Sequence, residues 1–267
     1  GMTLSDDARW LYVSHFDSGI ISKIETSTFT VVAEISLGSR AGLVQSITLD
    51  SAAQFAYVPN TIRNTDNTSL EFDTSVFPFV SIIDLQNGVH LRRQRLALDI
   101  IDKPVGLPLE SLLSGEDLYV VNAASNDLSV INVANSQLRA HIEVGGFPVG
   151  IAQGLDGGSI YIDNAVDGSV SVIDATSLSE ISRTVVTQLP FDDNVKQGLK
   201  LFHSSDDTRM AKDQWISCAT CHFDGGSDNQ TWHFPDGLRN TPSLITTSLT
   251  GPFHWSGNLA EVQDVEN

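Results

Sequence analysis

One short phrase recurs four times in this chain and limits what it can fold into. Tyr-Val or Tyr-Ile pairs stand at Tyr12-Val13, Tyr57-Val58, Tyr119-Val120 and Tyr161-Ile162. Each is preceded by a turn: Ser5-Asp6-Asp7, Asp50-Ser51-Ala52, Ser114-Gly115-Glu116-Asp117 and Asp156-Gly157-Gly158. Each is followed by a second turn and an alternating apolar run, such as Leu128-Ser129-Val130-Ile131-Asn132 or Val170-Ser171-Val172-Ile173-Asp174. The spacing is 13 residues from Tyr12 to Glu25, from Tyr119 to Asn132 and from Tyr161 to Asp174. From Tyr57 to Asp84 it is 27, so the second unit carries a 14-residue insertion. Self-similarity of this kind means one supersecondary unit copied along the chain.

Further strands complete each unit. A fourth reads Val31-Val32-Ala33-Glu34-Ile35, Leu138-Arg139-Ala140-His141-Ile142 and Ser182-Arg183-Thr184-Val185-Val186. A first reads Pro104-Val105-Gly106-Leu107 and Pro148-Val149-Gly150-Ile151. Four short strands in roughly 40 residues, joined by tight turns, describe one blade of a β-propeller. A blade cannot bury both faces alone and must stack on its neighbours. Residues 2–189 therefore read as four blades of a mainly β protein. The first unit is expected to lack its inner strand, because the chain opens directly on Ser5-Asp6-Asp7. The insertion Thr61–Ser75 is rich in Asn, Thr and Asp. It reads as a solvated loop, or as a loop on a propeller face that touches a partner or the C-terminal region.

The tetrads Tyr12-Val13-Ser14-His15, Tyr57-Val58-Pro59-Asn60, Tyr119-Val120-Val121-Asn122 and Tyr161-Ile162-Asp163-Asn164 resemble the YVTN-type propeller repeats of bacterial and archaeal surface proteins. The resemblance covers residues 3 to about 187. It implies a ring of about seven blades, of which four are present here. The ring is then partial, unclosed or closed by a partner, and open strand edges favour edge-to-edge association into a homo-oligomer.

Charge narrows the partners. The chain carries 33 acidic and 15 basic residues, a net charge of −18. That disfavours nucleic acid and anionic membrane as partners. No apolar run is long enough for a membrane span. No basic segment followed by an apolar stretch opens the chain, and Gly1 before Met2 resembles a scar of tag removal, so it is set aside.

After Pro190 the repeat stops. Cys218-Ala219-Thr220-Cys221-His222 spells C-x-x-C-H, the attachment signature of a c-type haem, and contains the chain's two cysteines. Two thiols at this spacing reach two vinyl groups on one edge of the macrocycle, and the adjacent His222 swings under the iron. A lone C-x-x-C also suits half a zinc site, a redox dithiol or a disulfide. Zinc would need two more ligands from scattered His203, His233 and His254, and a thioredoxin-type dithiol would need a βαβ pattern. The histidine directly after the second cysteine favours haem. Upstream, Asp192-Asp193-Asn194 is a helix N-cap cluster. It predicts a helix with Val195, Leu199 and Phe202 on one face.

Gly198-x-x-Leu201-Phe202 resembles the first helix of cytochromes c. With Arg239-Asn240-Thr241-Pro242-Ser243-Leu244 and Pro252-Phe253-His254 downstream, residues 190–267 look like one haem domain of the di-haem cytochrome c peroxidase and MauG-like superfamily. That family has two C-x-x-C-H motifs and this chain has one, so the chain reads as a piece of a larger protein, its cytochrome segment small and mostly helix and loop. The resemblance implies haem c on Cys218 and Cys221, with His222 as proximal ligand. His254 is the first candidate for the sixth position, ahead of His203, His233 and Met210. An axial Met would suit electron transfer, and an open site would suit peroxide chemistry. Arg239 is a candidate partner for a haem propionate, because a guanidinium pairs bidentately with carboxylates. Trp215, Trp232 and Trp255 suit either a haem wall or a small aromatic core. Asp206, Asp207, Asp224 and Asp228 could hold calcium, though no EF-hand spacing is present.

The expected function is extracytoplasmic redox chemistry, periplasmic or at the bacterial cell surface. It would be electron transfer or a peroxidase-like oxidation, with a redox protein or peroxide as partner and the propeller as docking platform. The competing expectation is a surface scaffold protein whose haem module is idle or empty. Haem c is attached outside the cytoplasm, so chain made without export is expected to be haem-free, with Cys218 and Cys221 as thiols or a disulfide.

Overall fold

The computed structural model describes all residues except 51, 53, 70, 100–102, 236, 254–256, 261–263 and 265–267. Four antiparallel sheets follow one another along the chain. Blade 1 runs β1 (Met2–Leu4), β2 (Trp10–Ser14), β3 (Ile20–Glu25), β4 (Thr30–Ser36). In blade 2, β5 (Ala41–Gly42) and β6 (Thr48–Leu49) share one edge of β7 (Phe55–Arg63). β8 (Val76–Asp84) pairs on the other side of β7, and β9 (Val89–His90) and β10 (Leu96–Ala97) share its outer edge. Blade 3 is β11 (Pro108–Ser114), β12 (Asp117–Asn122), β13 (Asp127–Asn132) and β14 (Gln137–Glu143). Blade 4 is β15 (Pro148–Gln153), β16 (Ser159–Asn164), β17 (Ser169–Asp174) and β18 (Ser179–Val185).

The constant spacing reflects one shared register of the central hairpin, in which each tyrosine pairs with the residue 11 further on. Tyr12 lies beside Lys23, Tyr119 beside Val130 and Tyr161 beside Val172. The turn acids act as predicted: Asp156 Oδ1 accepts from the Gly158 and Ser159 amides, and Asp174 Oδ1 from Thr176 and Ser177. Such Asx turns satisfy the amides that the hairpin leaves unpaired.

One expectation is corrected. Blade 1 does have an inner strand, β1, whose Met2, Thr3 and Leu4 pair with Val13, Tyr12 and Leu11. Its sequence lacks the Pro-x-Gly mark and is only three residues long, which hid it. Gly1, set aside above, accepts the Ser14 amide at 2.9 Å.

The blades stack in sequence order through apolar seams. Tyr12, Ile21 and Ile35 of blade 1 meet Val58, Ile83 and Leu85 of blade 2. Tyr57, Val80 and Leu98 meet Leu118, Val120 and Ile131 of blade 3. Tyr119, Val121 and Val130 meet Ile160, Ile162 and Ile173 of blade 4. The tyrosine of each tetrad faces the next blade, so Tyr161 of blade 4, with no following blade, is 42% exposed while Tyr119 is 1% exposed. A further cluster under the C-terminal region includes Phe16 of blade 1 and Phe147 and Val166 of blade 4. The architecture is a partial propeller.

The C-terminal region contains α1 (Asp193–His203), α2 (Cys218–Cys221), a hairpin of β19 (Thr231–Phe234) and β20 (Gly237–Asn240), and two 3₁₀ turns. Helices are few there and loop predominates. The hairpin was not anticipated.

Candidate haem site

The region reaches its position through α1. Asp192 Oδ1 accepts the Val195 amide at 3.0 Å, as its N-cap pattern predicted. Leu199 and Phe202 pack on Ala123, Ala124, Phe147 and Val166, which sit in or beside the blade 3 and blade 4 turns. Val195, expected on the same face, is exposed. Polar bonds continue the seam: Ser205 N and Oγ donate to Ala124 O at 2.7 and 3.1 Å, and Asn126 Nδ2 donates to Ser204 Oγ at 2.8 Å.

The chain then lies flat on blade 3. The Trp215 carbonyl oxygen is 2.7 Å from where a Cβ on Gly106 would stand. Only a residue without a side chain admits that approach; Gly106 belongs to Pro104-Val105-Gly106-Leu107, which the sequence reads as a strand but which lies just before β11 and is not one. This contact sets the start of the C-x-x-C-H turn. Ala219 of α2 is fully buried with Leu43, Leu107 and Leu109 of the propeller, while Phe223 stacks near Phe16, centroids 5.1 Å apart.

That anchoring divides the motif. Cys218 is exposed, and Cys221 is half-buried against Trp215, Trp232 and Val76. Neither is in a disulfide. Burial, with Asp228 adding to it, pushes the Cys221 thiol up to about 12, against the opposing field of Arg63. Zinc takes thiolates, which this setting disfavours, whereas a haem thioether carries no charge. His222 caps α2, and its Nδ1 lies 3.3 Å from Gly226 O. With Nδ1–H donating to that carbonyl, Nε2 is left as a lone-pair donor, the usual outer bond of a metal-bound histidine. The residues fit a c-type haem.

The insertion in blade 2 closes the other side, and here the contact reading of Thr61–Ser75 holds. Phe72 meets Trp215 edge-on at 6.1 Å, and the His233 amide donates to Thr65 O at 2.9 Å. Arg63, at the end of β7, is 2% exposed and reaches under the C-terminal region. Its Nη1 donates to Asp228 O at 3.2 Å and its Nη2 to Asp17 O at 3.5 Å. Burial opposes its charge, and the Asp228 and Asp17 carboxylates sustain it. Asp228 is fully buried and accepts the Trp232 indole N–H at 3.0 Å. Asn229 Nδ2 bonds Asp17 Oδ2 at 2.7 Å. Sequence reading missed Arg63, Asp17 and this role of Asp228. The one available signal was an arginine at the edge of an apolar strand run in a chain poor in basic residues.

The other candidates scatter. His203 Nδ1 lies 2.8 Å from Leu199 O and its ring packs on Phe147. His233 sits on the hairpin facing Thr65 and Asp66. Met210 is exposed. Arg239, paired with Trp232 across the hairpin, donates from Nη1 to Leu238 O at 2.9 Å. His254 and Trp255 lie outside the described residues. The calcium expectation is corrected. Among the described residues no three acidic, histidine or cysteine groups gather as a metal site. Asp207 pairs with Arg209, Asp206 accepts Asn126, and Asp228 is committed to Trp232.

Comparison with known proteins decides the character of this region. Residues 192–266 match the family model of the di-haem cytochrome c peroxidases. The match supports a haem-binding, peroxidase-like redox module built on these residues. Among solved structures, hydrazine synthase of Kuenenia stuttgartiensis is similar, with a TM-score of 0.53 and 18% identity. The likeness covers 69% of this chain and 48% of that one, so the chain spans about half of the solved relative's length. At that identity it speaks for the fold alone. No curated protein matches the chain.

Proposed function

We propose that the chain is an extracytoplasmic c-type haem redox module seated on a propeller, acting in electron transfer or in a peroxidase-like oxidation. Cys218 and Cys221 would hold the haem as thioethers, and His222 Nε2 would ligate its iron. The observation that carries this reading is the position of His222, its Nδ1 on Gly226 O and its other nitrogen left for iron, beside one exposed and one half-buried thiol. Bound there, the haem would supply one-electron chemistry toward peroxide or a redox protein. Trp215, Trp232 and Val76 exclude water behind Cys221. Ala219 and Phe223 fix the turn on the propeller, so the motif cannot rotate away from it. His254 remains the proposed sixth ligand and Arg239 the proposed propionate partner. The propeller serves as docking platform, and the chain works in the periplasm or at the cell surface.

The test is expression with export and the haem-attachment machinery, followed by a reduced-minus-oxidised spectrum of denatured protein. Covalent haem in the wild-type chain and none in Cys218→Ala/Cys221→Ala is expected. A wild-type chain without covalent haem under those conditions overturns the reading. A haem spectrum perturbed by peroxide favours peroxidase chemistry over simple electron transfer.

A further inference from the structure

A cleft of about 660 Å³ opens on blade 2, away from the cysteines. Its volume is in the range of small-molecule sites, roughly 300–1,000 Å³. Leu37, Ile62, Phe77 and Phe79 give it an apolar wall. Arg40, Arg92 and Arg95 stand on the same lining. This is a concentration of positive charge in a chain of net charge −18.

The guanidiniums are not equivalent. Arg40 is taken, pairing with Asp66 at 2.6 Å. Arg95 is held over the Phe79 ring, 4.2 Å from its centroid, which orders the fork and leaves its edge open. Among the described residues neither Arg92 nor Arg95 has an ion-pair partner. Their uncompensated field is felt next door: burial, Arg92 and Arg95 lower the pKa of His90. Two carboxyls also line the cleft. Asp99 is buried, and burial with the Asp73 charge raises its pKa. Asp73 is exposed. Arg92 and Arg95, without an ion-pair partner among the described residues, thus share the lining with one exposed and one buried carboxyl.

We infer that this cleft binds a small amphipathic organic anion, its carboxylate on Arg92 and Arg95 and its flat apolar body against Phe77, Phe79, Leu37 and Ile62. An Arg fork matches a carboxylate bidentately, and the aromatic wall selects an apolar body over a bare ion. The site does not depend on haem. Strand β8 nonetheless carries Phe77 on the cleft and Val76 against Trp215 and Trp232. The two sites thus share one strand.

The experiment is calorimetric titration with three probes: 2-naphthoate, its uncharged counterpart 2-naphthylmethanol, and inorganic phosphate. Saturable 1:1 binding of 2-naphthoate is expected, at least tenfold tighter than 2-naphthylmethanol, with phosphate a poor competitor. Arg92→Gln and Arg95→Gln should each weaken it at least fivefold, while Arg93→Gln, exposed and off the lining, should not. All three arginines are exposed, so the variants retain the fold, and near-ultraviolet circular dichroism checks it. Equal binding of acid and alcohol, equal competition by phosphate, no binding at millimolar probe, or indifference to both glutamine variants would each overturn the inference. The titration is run on haem-free and haem-loaded chain alike, so it can fail without the haem reading failing, and the reverse.

Discussion

Asn122 shows how a repeated letter becomes a repeated contact. It ends the third tetrad, is fully buried, and its Nδ2 donates to Asp127 Oδ1 and Ser129 Oγ, both at 2.8 Å. Asn164 makes the matching bonds to Ser169 and Ser171, and His15 meets Ser22 at 2.8 Å. In these three tetrads the last residue ties one strand of the hairpin to the next, whereas the Asn60 amide of the second tetrad is buried without a hydrogen-bond partner among the described residues. This was legible because it recurs. Arg63 was not, because its partners lie in another part of the chain and no local pattern marks a contact of that range. Removing one member of a buried charged cluster while leaving the other typically costs about 3–5 kcal/mol. Arg63→Met is therefore expected to lower unfolding stability by about that amount, and Arg63→Met/Asp228→Asn by less than Arg63→Met alone. Urea denaturation of the four corners of the cycle measures this. A loss below about 1 kcal/mol for Arg63→Met would mean that the guanidinium is dispensable to the joint.

At the scale of elements, strands and helix starts followed their patterns, and the joints between them did not. The N-cap Asp192 and the Asx turns were readable because each is satisfied within a few residues. The inner strand β1 and the hairpin β19–β20 were not, since three- and four-residue strands carry too few alternations to register. One anchor of the C-x-x-C-H turn is a place where backbone meets backbone, Gly106 against Trp215. The Ala124 methyl stands 3.2 Å from the same point, so the crowded site has no empty side. Gly106→Val is expected to push the turn off blade 3, at a cost of about 1–3 kcal/mol for overpacking. Limited proteolysis reads this directly, with cleavage in 204–217 appearing several-fold faster than in the wild type. Unchanged cleavage would show that the turn is held by α1 and the Arg63 joint without this contact.

Across the whole molecule the blades stack in one direction only, so stability is a chain of neighbour contacts rather than one core. A single half-buried carboxyl among the inner strands then bears on the array. Glu110 is such a group. It lies on β11, the strand that packs between blade 2 and blade 4, and burial raises its pKa to about 7, with the amino group of Gly1 opposing. The unfolded chain holds this proton only up to about pH 4.5. Between pH 4.5 and 7 the folded state therefore binds more protons than the unfolded, and stability falls as pH rises through that window. The shift alone sets an upper bound, and partial solvent contact reduces it to about 1–2 kcal/mol. Glu110→Gln keeps the shape and removes the titration. It is expected to match the wild type near pH 5 and to exceed it by that amount at pH 8, measured as the difference in denaturant midpoints. If the two proteins instead lose stability in parallel from pH 5 to 8, the drop belongs to the self-repulsion of a chain with net charge −18 and not to this carboxyl.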